Sequence, residues 1–186
     1  QGWRRDSYWE ETGLPWVAPS PAMPTVDTAI AYPGTCFFEG TNVSEGRGTA
    51  KPFEQFGAPY IDGQRLAETL NHLELPGALF RPVFFTPHAG KHAGENCGGV
   101  QVHVTDRRAF LAVRTGFECI AAVRRLWPSA FAWHLPGTGI YNFDRLAGSQ
   151  TIRLHIESGA PVADLAESWQ ANLKAFDTVR RRHLLY

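Results

Sequence analysis

Phe-Glu-Gly-Thr-Asn-Val-Ser-Glu-Gly-Arg-Gly-Thr, residues 38–49, is the stretch from which the rest of the chain is best understood. Two carboxylates, Glu39 and Glu45, and the guanidinium of Arg47 fall within twelve residues that also contain three glycines. Glycine is unfavourable inside both helices and strands, so the stretch predicts a loop dense in charge. The apolar run at 35–38 leads into it. Because binding and catalytic residues concentrate in loops held by rigid elements, this loop is the first candidate site.

The composition indicates one globular domain with its own core. The chain has 186 residues, of which 44% are hydrophobic and 19% charged. Eighteen basic side chains balance eighteen acidic ones, which argues against nucleic acid as a partner. The sequence has no apolar run near the roughly 18–20 residues that span a membrane, and its first residues have no signal-peptide pattern. Three scattered cysteines form neither a CxxC motif nor a disulfide framework.

The pattern along the chain predicts an α+β domain. Residues 1–24 are rich in Pro and Trp and predict an extended connecting segment, followed by a single domain over 25–186. Helices and strands do not alternate regularly, which favours α+β over a doubly wound sheet. The predicted elements are helices at 26–31 (capped by Thr25 and ended by Pro33), 63–73 (capped by Asp62), 107–126 (capped by Asp106), 143–147, 150–157 and 161–183, and strands at 35–38, 79–86 and 100–105.

The charged loop is not a phosphate loop, because Gly46-Arg47-Gly48 does not match the Gly-Lys-Ser/Thr ending of that motif. Paired carboxylates beside a guanidinium suit glycosidase chemistry, since one acid can be protonated while the other stays ionised. In the simpler interpretation, Glu39 and Arg47 only pair across a turn.

Three histidines are weaker candidates. His88 and His92 have the spacing of zinc ligands, with Glu95 nearby, but glycines at 90 and 94 argue against the helix that such a site requires. His103 falls on the polar face of the strand predicted at 100–105, where it either lines a site or is a surface histidine.

Several runs carry a resemblance to a known family. They are Pro-Ser-Pro at 19–21, Tyr-Pro-Gly-Thr at 32–35, the whole of 39–49, Pro-Phe-Glu at 52–54, Gly-Ala-Pro at 57–59, Lys-His-x-Gly at 91–94, Cys-Gly-Gly-Val-Gln-Val-His-Val at 97–104 and Leu-Leu-Tyr at 184–186. With these runs the chain resembles the NamZ-type exo-β-N-acetylmuramidases, a bacterial family long described only as a domain of unknown function. The resemblance spans the chain and corresponds to the family's C-terminal portion.

The resemblance implies a two-domain glycoside hydrolase that releases N-acetylmuramic acid from the non-reducing ends of peptidoglycan fragments. Its N-terminal domain is Rossmann-like, and its C-terminal domain is a barrel-like α+β domain with a mixed sheet and flanking helices. The active site lies in the cleft between them, and the best-supported catalytic glutamate belongs to the N-terminal domain. The expected partners are therefore muropeptides and that domain, in cis or in trans. No cofactor or metal is expected, and a secreted or periplasmic location is favoured over a cytoplasmic one.

Within this resemblance each candidate residue receives a role. Glu45 and Glu39 are the catalytic or orienting carboxylates, and Arg47 is the bidentate partner for the lactyl carboxylate of N-acetylmuramic acid. The candidates for further substrate contacts are Thr41, Asn42, Ser44, Lys91, His92 and His103. Two alternatives stay open, namely a muropeptide-binding module without catalysis and a metalloenzyme using His88, His92 and Glu95.

Overall fold

The computed structural model describes residues 4–137 and 139–185. In this part of the chain the α+β class is confirmed. The helices are α1 Val26–Thr35, α2 Gly63–Asn71, α3 Ala112–Leu126, α4 Asn142–Ala147, α5 Thr151–Ser158, α6 Val162–Ser168 and α7 Gln170–Arg180, with short 3-10 helices at Trp9–Thr12, Cys36–Gly40 and Arg181–His183. The strands are β1 Gln55–Ala58, β2 Ala78–Phe85 and β3 Cys97–Val104. None of the described helices is long and apolar enough to cross a membrane.

The sheet is small, open and antiparallel, with the order β1-β3-β2. Gln101 of the central strand lies opposite Gln55 on one side and Arg81 on the other, which fixes the register. The strand predicted from alternating valines is confirmed as β3, and Val100 and Val102 point into the core. A barrel is not seen among the described residues, and barrel-like closure stays a prediction.

Aromatic rings fill the core between the sheet and the helices. Phe38 stacks on Phe56 with ring centroids 4.2 Å apart, and Phe117 of α3 contacts Phe143 of α4 at 6.0 Å. Burying each of these rings contributes about 1.5–3 kcal/mol to stability. Phe38 immediately precedes Glu39, so this packing fixes the point from which the charged loop leaves the core.

Helix α1 is longer than predicted, because packing overrides the sequence signals that should end it. Thr25 caps it as predicted, accepting a hydrogen bond from the backbone N–H of Thr28, but the helix continues through Pro33 to Thr35. A Cβ on Gly34 would lie 1.9 Å from the carbonyl oxygen of Ala112, so α1 and α3 touch backbone to backbone there. The strand predicted at 35–38 is therefore wrong, since these residues end α1 and begin a 3-10 helix.

Two later helices also differ from prediction. Helix α3 begins at Ala112 rather than 107, because Asp106 caps a turn by accepting from the backbone N–H groups of Arg108 and Ala109. The single helix predicted over 161–183 is divided into α6, α7 and a 3-10 turn. The division falls at Trp169, whose ring packs edge-on against Phe117 at 6.1 Å.

Candidate functional site

The charged loop is held against the sheet like an additional short strand. Ser44 and Gly57 of β1 exchange two backbone hydrogen bonds of 2.8 and 3.0 Å. Gly46 and Gly48 then turn the chain with φ angles of +78° and +76°, where side chains are disfavoured. A Cβ on Gly48 would lie 2.4 Å from the carbonyl oxygen of Ala89. The turn therefore brings the loop into contact with residues 87–94.

Four charged side chains meet at this contact. Nη2 of Arg47 lies 2.7 Å from Oε1 of Glu39, and Nε of Arg47 lies 3.3 Å from Oε1 of Glu45. Nζ of Lys91 lies 2.9 Å from the other carboxylate oxygen of Glu45. We call Glu39, Glu45, Arg47 and Lys91 the charge cluster. Two acids and two bases leave the cluster without net formal charge, and each acid is paired with at least one of the two bases.

Lys91 and Glu45 form the inner half of the charge cluster. Glu45 is 4% exposed, and each of its carboxylate oxygens faces a cation. Lys91 also donates to the carbonyl oxygens of Phe38 and Val43, at 2.7 and 3.0 Å. A buried ion pair of this kind persists only when its remaining hydrogen-bonding groups are satisfied, as they are here. This half of the cluster fixes the shape of the loop.

Arg47 and Glu39 form the outer half. The Arg47 side chain is 43% exposed, and its guanidinium lies over the ring of Phe53 with 4.8 Å to the centroid. Tyr32 packs edge-on against the same ring, also at 4.8 Å. Burial lowers the pKa of Arg47, but the hydrogen bond and charge of Glu39 together with the charge of Glu45 outweigh it, so the net pKa is raised. The guanidinium is thus a permanently charged, oriented group that reaches the surface.

Thr41 and Ser44, two predicted binding residues, are buried and use their hydroxyl groups within the loop. Oγ1 of Thr41 donates to the carbonyl of Phe38 at 2.8 Å, and Oγ of Ser44 accepts from the N–H of Gly46 at 3.2 Å. Direct contact of either hydroxyl with a ligand stays a prediction.

Asn42 joins the loop to the segment before α4. Its amide nitrogen donates to the carbonyl of Ala130, while its amide oxygen accepts from the N–H of Ala132 and the hydroxyl of Tyr60. The backbone N–H of Asn42 also donates to Ala132. The Asn42 side-chain amide therefore uses one of its two N–H donors and both acceptor positions of its oxygen.

His92 contacts the charged loop through the backbone carbonyl of Asn42. Its Nε2 lies 2.7 Å from the carbonyl oxygen of Asn42, which can only accept, so Nε2 carries a proton. Its Nδ1 lies 3.3 Å from a carboxylate oxygen of Glu95. Among residues 4–137 and 139–185, no three His, Cys, Asp or Glu side chains are grouped so that they could hold a metal ion. The structure gives no support to the metalloenzyme alternative.

His103 is not part of the charge cluster. It lines a separate polar pocket of about 240 Å³ between α1 and β3, together with Asp27, Lys51 and Glu54. The strand pattern indicates His103 but not Lys51 and Glu54, whose side chains pair at 2.8 Å. Their i,i+3 spacing around Pro52 and Phe53 was the signal that could have indicated them.

The fold and the charge cluster together define an α+β domain with two carboxylates and a guanidinium in one loop, of which Glu39 and Arg47 reach the surface. Residues 30–186 match the family model described as exo-beta-N-acetylmuramidase NamZ, C-terminal, and the chain belongs to this family. It is 47% identical over 184 residues to the peptidoglycan beta-N-acetylmuramidase NamZ of Bacillus subtilis (strain 168). That alignment covers 99% of this chain but 44% of the relative, so the chain spans less than half of the relative's length.

Two solved structures of DUF1343 family proteins from Bacteroides fragilis NCTC 9343 are similar to this fold. The first superimposes with a TM-score of 0.90 at 29% sequence identity, and the match covers 100% of this chain and 49% of the chain in that structure. The second has a TM-score of 0.62 at 22% sequence identity, and the match covers 91% of this chain and 43% of the chain in that structure. At this identity the similarity supports the fold alone.

Proposed function

We propose that this chain forms one wall of the active-site cleft of a peptidoglycan exo-β-N-acetylmuramidase, which releases N-acetylmuramic acid from the non-reducing ends of cell-wall fragments. The observation that carries the proposal is the 47% identity to the Bacillus subtilis muramidase across 99% of the chain. Such a substrate lies outside the cytoplasmic membrane, which favours a secreted or periplasmic location.

The opposite wall belongs to a part of the protein beyond this chain. The Bacillus subtilis relative is more than twice as long as the matched region, since that region is 44% of it. We infer that a Rossmann-like N-terminal domain, in cis or in trans, supplies the principal catalytic glutamate. In this arrangement residues 1–24 connect the two domains and residues 25–186 are the barrel-like C-terminal domain.

The charge cluster supports a division of roles on this wall. Arg47 is exposed and oriented, so it can bind the lactyl carboxylate of N-acetylmuramic acid through two parallel hydrogen bonds. Glu39 is the more exposed acid and can act as the second carboxylate of the cleft. Glu45 is buried between two cations, which supports an orienting role for it rather than proton transfer. The other predicted binding residues near the cluster then hold the loop in shape through their hydrogen bonds; they are Thr41, Asn42, Ser44, Lys91 and His92.

Digestion of purified muropeptides, followed by mass spectrometry, tests the proposal. The chain alone and a longer form that includes the N-terminal domain are compared at equal concentration. We expect free N-acetylmuramic acid only with the longer form. If the longer form releases none, the proposed activity is wrong. Release by the chain alone would instead contradict the placement of the principal catalytic glutamate on the other domain.

A second candidate function is muropeptide binding without catalysis, and it is favoured by the burial of Glu45 between two cations, which suits an orienting role rather than proton transfer. Calorimetric titration of the chain with muropeptides distinguishes the two. Saturable binding without hydrolysis, by the chain and by the longer form alike, would favour the binding module.

A further inference from the structure

We propose that the polar pocket between α1 and β3 is a second sugar subsite, which holds an uncharged sugar ring adjacent to the residue bound at Arg47. This inference rests on the proposed function and extends it to a surface outside the charge cluster. The pocket volume of about 240 Å³ lies below the range of roughly 300–1,000 Å³ that is usual for drug-sized ligands. A single monosaccharide ring is the class of ligand that fits it.

The charges around the pocket are already paired, which argues for an uncharged ligand. Nζ of Lys51 lies 2.8 Å from one carboxylate oxygen of Glu54, and the other oxygen accepts from the hydroxyls of Thr28 and Thr25. Asp27 is paired with Arg107 at 2.7 Å. An ionic ligand would have to displace one of these pairs. A sugar hydroxyl or acetamido group can instead share hydrogen bonds with Lys51 and Asp27, both of which are partly exposed.

Two residues that line the pocket are sequence neighbours of residues that pack beneath Arg47. Ala31 lines the pocket, and its neighbour Tyr32 packs against the ring of Phe53. Glu54 also lines the pocket, and its neighbour Phe53 lies under the guanidinium of Arg47. Two separate segments of the chain therefore run from the pocket to the outer half of the charge cluster. Tyr32 is 38% exposed and packs against the ring beneath Arg47, so it can offer a sugar a face to stack on.

His103 carries an unused hydrogen-bonding atom beside the pocket. Its Nε2 is buried and has no partner among the described residues, which is unusual for a buried polar atom in a native protein. The side chain lines the pocket, so a ligand that turns the imidazole on binding would supply the missing partner. Val104 of the same strand also lines the pocket and adds an apolar group that suits an acetamido methyl group.

Kinetics with two substrates test the subsite, using the whole protein with its N-terminal domain. One substrate is an aryl N-acetylmuramide, which has no second sugar, and the other is the N-acetylmuramic acid–N-acetylglucosamine disaccharide. Val104→Phe fills the pocket and Val113→Phe, on the exposed part of α3, is its matched control. We expect Val104→Phe to raise KM for the disaccharide about tenfold or more, the loss of at least one good hydrogen bond, and to leave the aryl substrate unchanged.

His103→Phe separates binding from folding. The apolar ring keeps the shape and removes the unpartnered nitrogen, so we expect an unchanged or higher Tm together with a raised KM for the disaccharide. A purely structural role would lower Tm and impair both substrates equally, and that result would overturn the subsite.

A binding measurement keeps the subsite and the proposed function separable. The whole protein is titrated with methyl β-N-acetylglucosaminide while the imidazole NMR signals of His103 are followed. Saturable shifts, lost in Val104→Phe and kept in Val113→Phe, support the subsite even if neither substrate is hydrolysed, in which case only the muramidase proposal fails. Normal hydrolysis of both substrates by Val104→Phe, without any shift at His103, overturns the subsite alone.

Discussion

Nζ of Lys91 lies 2.9 Å from Oε2 of Glu45, although the two residues are 46 positions apart in the sequence. The same ammonium group donates to the carbonyls of Phe38 and Val43. One cation therefore ties the loop at 38–49 to the loop at 87–94. The orientation of Arg47 depends on this tie, because Arg47 is held by the other oxygen of the Glu45 carboxylate.

Lys91→Met should destabilise the protein by about 1.5–3 kcal/mol, the range for a hydrogen bond to a charged group, because Lys91 is partly exposed and Glu45 keeps Arg47 as a partner. The substitution keeps the length of the side chain but leaves Oε2 of Glu45 and two carbonyl oxygens without the donor that Lys91 supplies. Denaturant unfolding measures the change in the free energy of unfolding. Lys174→Met, at an exposed position of α7, is the matched control and should change it little.

The double variant Lys91→Met with Glu45→Gln should recover part of this loss, since a neutral amide costs less to bury than a carboxylate that keeps only Arg47 as its cationic partner. A double variant that is as unstable as the sum of the two single variants would contradict the ion-pair interpretation.

Arg47→Ala should lower kcat/KM for an N-acetylmuramic acid substrate about 10- to 100-fold, which corresponds to the loss of charged hydrogen bonds worth about 1.5–3 kcal/mol. Arg47→Lys should recover little, because an ammonium lacks the planar fork that matches a carboxylate. The assay uses the whole protein and a chromogenic substrate. Arg81→Ala, which removes an exposed arginine of β2 that donates to Gln101, serves as the control. Normal kcat/KM in Arg47→Ala would refute the carboxylate-binding role.

Much of the fold follows from local patterns. The alternating valines of β3, the Asp62 cap of α2 and the Thr25 cap of α1 all act through neighbours in sequence, and each is confirmed. The end of α1 cannot be predicted from local patterns, because Pro33 and Gly34 ordinarily terminate a helix. Only the contact of Gly34 with α3 explains why the helix continues, and that contact joins segments some 80 residues apart.

In the candidate site, too, features within one loop can be predicted from the sequence, whereas contacts between distant loops cannot. The clustering of Glu39, Glu45 and Arg47 is predictable, since all three lie in one twelve-residue loop. The pairing of Lys91 with Glu45 and the ring of Phe53 beneath Arg47 depend on how distant loops fold back, which spacing does not encode. Spacing does not encode burial either, and the sequence does not indicate that the side chains of Thr41 and Ser44 are buried.

Asn42→Ala should lower the free energy of unfolding by about 2–3 kcal/mol, because the backbone groups of Ala130 and Ala132 and the hydroxyl of Tyr60 lose their partner together. Urea unfolding measures the effect. Asn96→Ala, at an exposed position, is the control and should cost little. A stable Asn42→Ala protein with weakened substrate binding would show that this amide contacts the ligand instead.

Cys36 should resist alkylation at neutral pH. Burial, followed by the charge of Glu39, raises the pKa of its thiol from 9.0 to about 11. The rate of iodoacetamide modification, followed by mass spectrometry of the Cys36 peptide, should rise about tenfold per pH unit until it levels off near that pKa. Glu39→Gln should react faster than the wild type at pH 9, whereas Glu68→Gln, on the exposed side of α2, should not.

The same shift predicts a loss of stability at high pH. Between pH 9 and about 11 the thiol of Cys36 stays protonated in the folded state and ionises in the unfolded state. The unfolded state therefore binds fewer protons, and the free energy of unfolding falls as the pH rises through this window. Cys36→Ala should show a smaller fall over that range, and an unchanged fall would contradict the assignment.

Gly34→Ala should destabilise the fold severely, although it adds only one methyl group. The added Cβ would lie 1.9 Å from the carbonyl oxygen of Ala112 in α3. Gly116, also in α3, contacts the backbone of Gly34 as well. Because both neighbours are backbone atoms, no side-chain rotation can relieve the clash, and α1 must separate from α3. We expect destabilisation of about 3 kcal/mol or more, the upper part of the range for overpacked cores. Gly137→Ala, where no atom of the described residues lies within 4 Å of an added Cβ, is the matched control and should be neutral. Thermal unfolding of the two variants is the measurement, and equal Tm values would mean that α1 and α3 do not pack this closely.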